Sequence, residues 1–227
     1  VTRPRIALLG RFAEHTSATR YAAVVSARAL LESLWLAGAE PVTLLPAPGP
    51  EGMDWPARLS GVDGVLLAGG ADIDPRLYGE SDIHPEVYDV DALQDEADIS
   101  LATYSLDGGI PTLAVCRGLH ILNVARGGTL VQHMDAHHRH VVHDVVVERE
   151  VPGFAAGPIT ASCYHHQCVD QLGEGLEVIG RAEDGTIEAL AIESPGWAFA
   201  VQWHPEDTAK DDPRQLEVLQ ALVAASR

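Results

Sequence analysis

Thr112-Leu113-Ala114-Val115-Cys116-Arg117-Gly118-Leu119-His120-Ile121-Leu122-Asn123-Val124-Ala125 is the stretch on which the fold turns. A short, mainly apolar run stops at one cysteine, and a helical pattern of apolar residues follows from about Leu119 to Ala125. Short runs of this kind read as strands buried on both faces. A strand that turns directly into a helix lifts the intervening side chain above the sheet edge and aims the helix's free backbone N–H groups at it. Gly118 leaves room for the tight turn. The stretch therefore predicts a strand–turn–helix unit with Cys116 at its apex.

On either side the same alternation repeats. Ile6 to Gly10, Pro41 to Leu45 and Val62 to Leu67 read as strands, the last stopping at Ala68-Gly69-Gly70. Residues from about Tyr21 to Gly38 and from about Ala92 to Leu106 read as helices, the second closed by Asp107-Gly108-Gly109. Strands alternating with helices predict an α/β fold, a mostly parallel sheet with helices on both faces. After Gly127-Gly128 the rhythm changes. Val141 to Val147 and Leu176 to Ile192 carry short β-like runs with a turn at Glu183-Asp184-Gly185-Thr186, which predicts antiparallel additions. Phe199 to Trp203 is another strand, and residues 213–225 form a closing helix with Pro213 in its first turn. With no repeat or linker, residues 1–227 are expected to form a single domain.

The chain carries 33 acidic against 15 basic residues, a formal net charge of −18. Such a balance repels a phosphate backbone and an anionic lipid surface, so neither nucleic acid nor membrane is an expected partner. The charge serves solubility, or favours a cationic portion of a substrate. No stretch reaches the roughly 18 to 20 apolar residues that a spanning helix needs. The N-terminal residues run into a strand pattern without the apolar region of a signal peptide. Three cysteines, an odd and low count, suit a reducing cytoplasm rather than a disulfide framework.

The chemistry is carried by three segments. A thiol at position 116 gains from the positive end of the following helix, which favours thiolate; the bland alternative is a buried, inert cysteine. Val201-Gln202-Trp203-His204-Pro205-Glu206 supplies what a cysteine nucleophile requires: His204 as base and Glu206 to hold its tautomer. Taken alone, His-Pro-Glu also reads as a surface turn. Gly69-Gly70 at a strand end allows close backbone approach, so an N–H there could join the Arg117 N–H in an oxyanion hole.

The order Gly-Gly, Cys-Arg-Gly, His-Pro-Glu resembles the class I glutamine amidotransferase family, and within it the free-standing γ-glutamyl hydrolase branch of peptidase family C26. The resemblance rests on Leu66 to Pro75, Val115 to Leu119, Asn123 to Leu130, His165-His166-Gln167, Glu183 to Ala189 and Val201 to Glu206, which together cover the chain nearly end to end. It implies a flavodoxin-like sheet, a Cys116–His204–Glu206 triad, and backbone oxyanion donors near Gly70 and Arg117. It also implies substrate contacts at Gly69, His165, Gln167 and His120. The last of these stands where the family pattern has Gln. Ser162-Cys163 stands where it has Asn-Ser, and Gln94-Asp95-Glu96-Ala97-Asp98 departs from its Arg-Asp-x-x-Glu.

The run His133-Met134-Asp135-Ala136-His137-His138-Arg139-His140-Val141-Val142-His143 is dense in metal-type ligands, and Cys163 and Cys168 bracket His165 and His166. The second spacing fits no closed zinc motif, the first run lies in a segment that varies in length within the resembled family, and the resembled chemistry needs neither metal nor cofactor, so no metal is assigned. Asp72 and Asp74 either meet a cationic amine or cap a turn. Trp197 and Trp203 are expected in the core.

The expected activity is cleavage of a γ-glutamyl amide, of γ-glutamyl-GABA or γ-glutamyl-amine type, through a thioester. The expected partner is that small molecule, and a homo-oligomer is compatible with the sequence. About twenty residues follow Glu206, so an attached synthetase is not expected. Rival readings are a glutaminase subunit that delivers ammonia to a separate synthetase, and a non-catalytic binding module.

Overall fold

The computed structural model describes residues 2–135 and 138–227. His137 of the histidine-rich run therefore lies outside the described residues, as do Val1 and Ala136. In chain order the elements are β1 (Arg5–Leu9), β2 (Arg11–Ala13), β3 (Ala23–Val25), α1 (Arg28–Ala37), β4 (Glu40–Leu44), α2 (Gly49–Gly52), α3 (Trp55–Arg58) and β5 (Gly64–Leu67). They continue with α4 (Ala92–Asp107), β6 (Thr112–Val115), α5 (Arg117–Ala125), β7 (Leu130–Val131), β8 (Arg139–Val147), β9 (Gly157–Tyr164) and β10 (Cys168–Val169). The chain closes with β11 (Leu176–Ala182), β12 (Ile187–Ile192), β13 (Ala198–Val201) and α6 (Pro213–Ala225). Single 3-10 turns occupy Pro75–Tyr78 and Pro205–Asp207.

Nine strands form one sheet in the order β4-β1-β5-β6-β13-β12-β11-β8-β9. The first five are mutually parallel. Counted by their own order in the chain they run 2-1-3-4-5, the flavodoxin-like order, in which ligands bind beyond the carboxyl ends of the strands. Gly69-Gly70, Cys116 and His204 follow the carboxyl ends of β5, β6 and β13. The other four strands pair antiparallel, as the change of rhythm after Gly128 predicts.

Successive strand side chains point to opposite faces, and a parallel sheet buries both. Ile6, Leu8, Leu66, Leu113, Val115, Phe199 and Val201 accordingly pack with Leu30 and Leu34 of α1 and with Val218, Leu219 and Leu222 of α6. Their neighbours Ala7, Leu9, Val65, Leu67, Ala114 and Ala200 pack on the other face with Leu101 and Leu106 of α4 and Leu119 and Leu122 of α5. Trp203 is fully buried, as expected, and its Nε1 donates to Gln215 Oε1 at 2.9 Å. Trp197 is only partly buried and packs at the edge of the core, with Nε1 donating to the Pro152 carbonyl at 2.9 Å.

Besides short elements the sequence reading did not anticipate (α2, α3, β2, β7 and β10), two longer ones depart from it. The helix expected from about Tyr21 starts only at Arg28, because β-branched Val24 and Val25 extend the preceding residues into a strand paired with Arg11–Ala13. The strand Gly157–Tyr164 has no counterpart among the expected elements. Its Gly, Pro, Thr and Ser residues mask an alternation in which Ile159, Ala161 and Cys163 are buried.

Candidate active site

Cys116 sits at the apex expected of it, but under strain. Its φ of 53° and ψ of −111° lie where residues with a Cβ are seldom found. Such a backbone costs on the order of 1–3 kcal/mol and persists because the surroundings over-determine it. Two contacts do so here. The Cys116 N–H donates to the Val201 carbonyl at 2.9 Å, tying the apex to β13. At Gly118 an added Cβ would fall 2.1 Å from the Leu67 carbonyl oxygen, so only glycine lets α5 start this close to β5. The helix begins at Arg117 itself, two residues earlier than its apolar pattern shows.

His204 is held by its neighbours at both ends. Its N–H donates to the Ser162 carbonyl at 2.8 Å, and its Nδ1 lies 2.8 Å from Glu206 Oε1. Nε2 is buried and carries no hydrogen bond. Burial opposes a charged imidazole here. The neighbouring Cys116 sulfur and then the Glu206 carboxylate outweigh it, and the pKa of His204 is pushed well up. A Cβ on Gly69 would stand 3.1 Å from His204 Cε1 and 3.7 Å from Cys116 Cβ, so Gly69 closes over the pair of side chains.

A buried ion network, largely invisible in the sequence, sets the Gly69-Gly70 loop. Arg117 pairs with Asp95 at 2.5 Å and also with Asp98. Arg11 pairs with the same Asp98 carboxylate, and donates to the carbonyls of Gly69 (3.0 Å) and Ala68 (2.7 Å). Burial would raise the Asp98 pKa, but two guanidinium groups overcome that and hold it down. Because a trans peptide is planar, drawing the Gly69 carbonyl toward Arg11 turns the Gly70 N–H away from it. The Gly70 and Arg117 N–H groups are taken up by no acceptor among the described residues. Asp95 and Asp98 belong to the segment that departs from the family pattern. Arg11 had no local signal in the sequence.

Cys116 lies between two cavities that also share Gly70, Tyr88 and Tyr164. The larger, about 320 Å³, is walled by Leu8, Val25 and Leu30 and reaches His204 and Glu206. The smaller is a narrow polar cleft that includes Asp72, Arg117, His120, His165 and Gln167. Of the expected substrate contacts, Gly69 thus borders the larger cavity and His120, His165 and Gln167 the cleft. Burial drives the His120 pKa down to about 3, so this imidazole is neutral. His165 Nδ1 faces the Gln167 carbonyl at 2.9 Å. Tyr88 and Tyr164 escaped the sequence reading because isolated aromatics in loops and at strand ends carry no pattern.

The two aspartates separate. Asp74 caps its turn, accepting from the Arg76 N–H at 3.0 Å and pairing with the Arg76 guanidinium at 2.5 Å. Asp72 is buried, accepts from the Tyr88 N–H at 3.1 Å, and lies 3.0 Å from His166 Nε2. Burial pushes the Asp72 pKa up to about 7 and pulls that of His166 down to about 4. His133, from the histidine-rich run, meets His166 Nδ1 at 3.0 Å. Asp72 is thus engaged by the protein and only weakly disposed to be an anion.

The Peptidase C26 family model matches residues 5–206. A glutamine amidotransferase-type protein of Mycobacterium tuberculosis is 36% identical over 208 residues, 86% of this chain and 65% of that protein. The γ-glutamyl-γ-aminobutyrate hydrolase of Escherichia coli is 30% identical over 166 residues, 64% of this chain and 64% of the relative. Against both, the chain spans less than two thirds of the relative's length. Among solved structures, a GMP synthase-type protein of Thermoplasma acidophilum superposes with a TM-score of 0.68 at 16% identity, over 100% of this chain and 95% of its own. At that identity the likeness speaks for the fold alone. No described helix is long and apolar enough to cross a membrane.

Proposed function

The chain belongs to the Peptidase C26 family, a glutamine amidotransferase-like group, and from that premise we propose that it hydrolyses a γ-glutamyl amide through a Cys116 thioester. The observation that carries this reading is the strained Cys116 apex beside an imidazole whose Nδ1 is held 2.8 Å from Glu206. In such an arrangement His204 takes the proton of the Cys116 thiol, which makes the sulfur the nucleophile. Cys116 Sγ attacks the γ-carbonyl, and the N–H groups of Gly70 and Arg117 receive the oxyanion. His204 gives its Nε2 proton to the leaving amine, and the C–N bond breaks. His204 then takes a proton from water, which attacks the thioester and releases glutamate and the thiolate. Glu206 orients the imidazole throughout. No step requires a cofactor.

At about 20 Å³ the cleft has room for about one water, so the substrate, its amine half included, goes to the larger cavity. The apolar walls of that cavity, Leu8, Val25 and Leu30, favour a substituted amine with an alkyl portion over ammonia. The named activity of the E. coli relative, γ-glutamyl-γ-aminobutyrate hydrolysis, supports the same substrate class. The name of the M. tuberculosis relative supports the second reading, a glutaminase that delivers ammonia to a separate synthetase. Steady-state kcat/KM of the purified protein alone, across γ-glutamyl-GABA, γ-glutamyl-polyamines, γ-glutamyl peptides and glutamine, separates them. A substituted amide as best substrate is expected. Glutamine as best substrate, or inertness until a second protein is added, replaces the first reading with the second.

A further inference from the structure

We propose that His138, His143, Cys163 and Glu188 form a zinc-type metal site behind the active site, distinct from the Cys116 machinery. The four come from three parts of the chain: His138 just before β8 and His143 in its middle, Cys163 at the end of β9, and Glu188 in β12. One ligand atom from each falls within 4.8 Å of all the others. His143 Nε2 is 2.9 Å from Cys163 Sγ and 3.7 Å from Glu188 Oε1. His138 Nδ1 is 3.2 Å from Glu188 Oε1, and Cys163 Sγ is 3.7 Å from Glu188 Oε2. Around a tetrahedral zinc with ordinary Zn–N, Zn–O and Zn–S bonds, ligand atoms stand about 3.3–3.6 Å apart, so little movement is needed to close the site.

The polar accounting points the same way. Glu188 is fully buried, and among the described residues its charged-type partners are imidazoles alone, those of His138, His143 and His165. Its Oε1 is buried 3.2 Å from the Nδ1 of His138 and 3.4 Å from the Nε2 of His165, and neither contact has the geometry of a hydrogen bond. Two imidazole nitrogens thus converge on one buried carboxylate oxygen without well-formed hydrogen bonds, where a cation would satisfy all three, since buried polar atoms are nearly always paired. A divalent ion balances one thiolate and one carboxylate, leaving the buried site neutral, and the thiol proton leaves to solvent on binding. One thiolate, two imidazoles and one carboxylate suit zinc better than magnesium or calcium, which prefer all-oxygen shells. His138 also has an outer partner of the usual kind, with Nε2 2.9 Å from Asp184 Oδ2.

The metal's role here is to fasten β8, β9 and β12 together. Cys163 lies between Ser162, whose carbonyl receives the His204 N–H, and Tyr164, which walls both cavities. The site would thereby hold the strand end against which the catalytic imidazole rests.

The test is metal content and cobalt spectroscopy of the whole purified chain. One zinc ion per chain is expected by elemental analysis after dialysis. Cobalt(II) substitution should give the intense d–d bands of a tetrahedral site and a thiolate charge-transfer band. That band should vanish in Cys163→Ser and persist in Cys116→Ser and Cys168→Ser. Zinc affinity should fall at least ~100-fold in Cys163→Ser and in His143→Gln, since even an outer-shell partner is worth 10–100-fold. Circular dichroism of each variant checks that the fold survives. No zinc retained together with no cobalt spectrum overturns the proposal. So does a charge-transfer band that disappears with Cys116 rather than Cys163.

Discussion

His204 Nδ1 lies 2.8 Å from Glu206 Oε1, two residues along the same chain, with Pro205 between them starting a 3-10 turn. That contact leaves Nε2 free for the thiol and supplies part of the charge that raises the imidazole pKa. Burial alone would lower it. A raised folded pKa means that the linked stability is full below the ordinary histidine value and is lost as pH climbs through the raised value. Glu206→Gln removes the charge and allows the wrong tautomer. We expect kcat to fall ~10²–10⁴-fold and the alkaline loss of stability to begin at lower pH. A pH series of kcat and of Tm checks both, and an unchanged kcat would remove Glu206 from the triad.

Cys116→Ala should abolish turnover, with a loss of ~10⁴-fold or more, while the fold persists. The φ of 53° adds a second expectation. Alanine keeps the strained Cβ and glycine does not, so Cys116→Gly should be the more stable of the two by about 1 kcal/mol. Urea melts of the two variants measure the difference. A more stable alanine variant would mean that the apex holds no strain.

Iodoacetamide should label Cys116 faster than Cys163 or Cys168. Burial pushes the Cys168 thiol up to about 11 and, without metal, the Cys163 thiol up strongly; with metal, Cys163 is engaged as a ligand, so neither is a free thiolate at neutral pH. Peptide mapping at short reaction times reads the order. Faster labelling of either other cysteine contradicts the assignment of the nucleophile.

Arg11 holds the carbonyls of Ala68 and Gly69 and shares Asp98 with Arg117. Lysine cannot reproduce that fork. Arg11→Lys should therefore lower kcat by ~10–100-fold with KM little changed, because a misplaced oxyanion donor weakens the transition state and not the bound substrate. Full kcat in this variant would show that the loop does not need Arg11.

Burial shifts the neighbouring Asp72 and His166 in opposite directions. The Asp72 pKa is raised from 3.8 to about 7, so its contribution is full below 3.8 and fades as pH rises through 7. The His166 pKa is lowered from 6.5 to about 4, so its contribution is full above 6.5 and fades as pH falls toward 4. The two slopes oppose each other between pH 4 and 7. Asp72→Asn removes the first and should expose the second: Tm should fall from pH 7 to pH 4.5 more steeply than in the parent chain. Parallel Tm curves would show that the pair is uncoupled from folding.

The features legible in the chain are those encoded locally. Apolar runs such as Leu113 to Val115 specify strands because burial on both faces leaves no polar position, and the order of strands and helices then yields the parallel α/β sheet. Cys116 and the His204–Glu206 pair were legible because a strand-end turn and a two-residue spacing are short-range features. Tertiary packing decided which distant groups meet. Arg11 reaches Asp98 across 87 positions, and His166 reaches Asp72 across 94. His138, His143, Cys163 and Glu188 converge only because β8, β9 and β12 are brought side by side by pairing through β11. The strand Gly157–Tyr164 was hidden for a related reason: Gly157, Pro158 and Ser162 obscure its short alternation, and pairing with Arg139–Val147 establishes it. Contacts of this kind depend on strand register and on loop closure across tens of residues, and neither leaves a periodic trace in the chain.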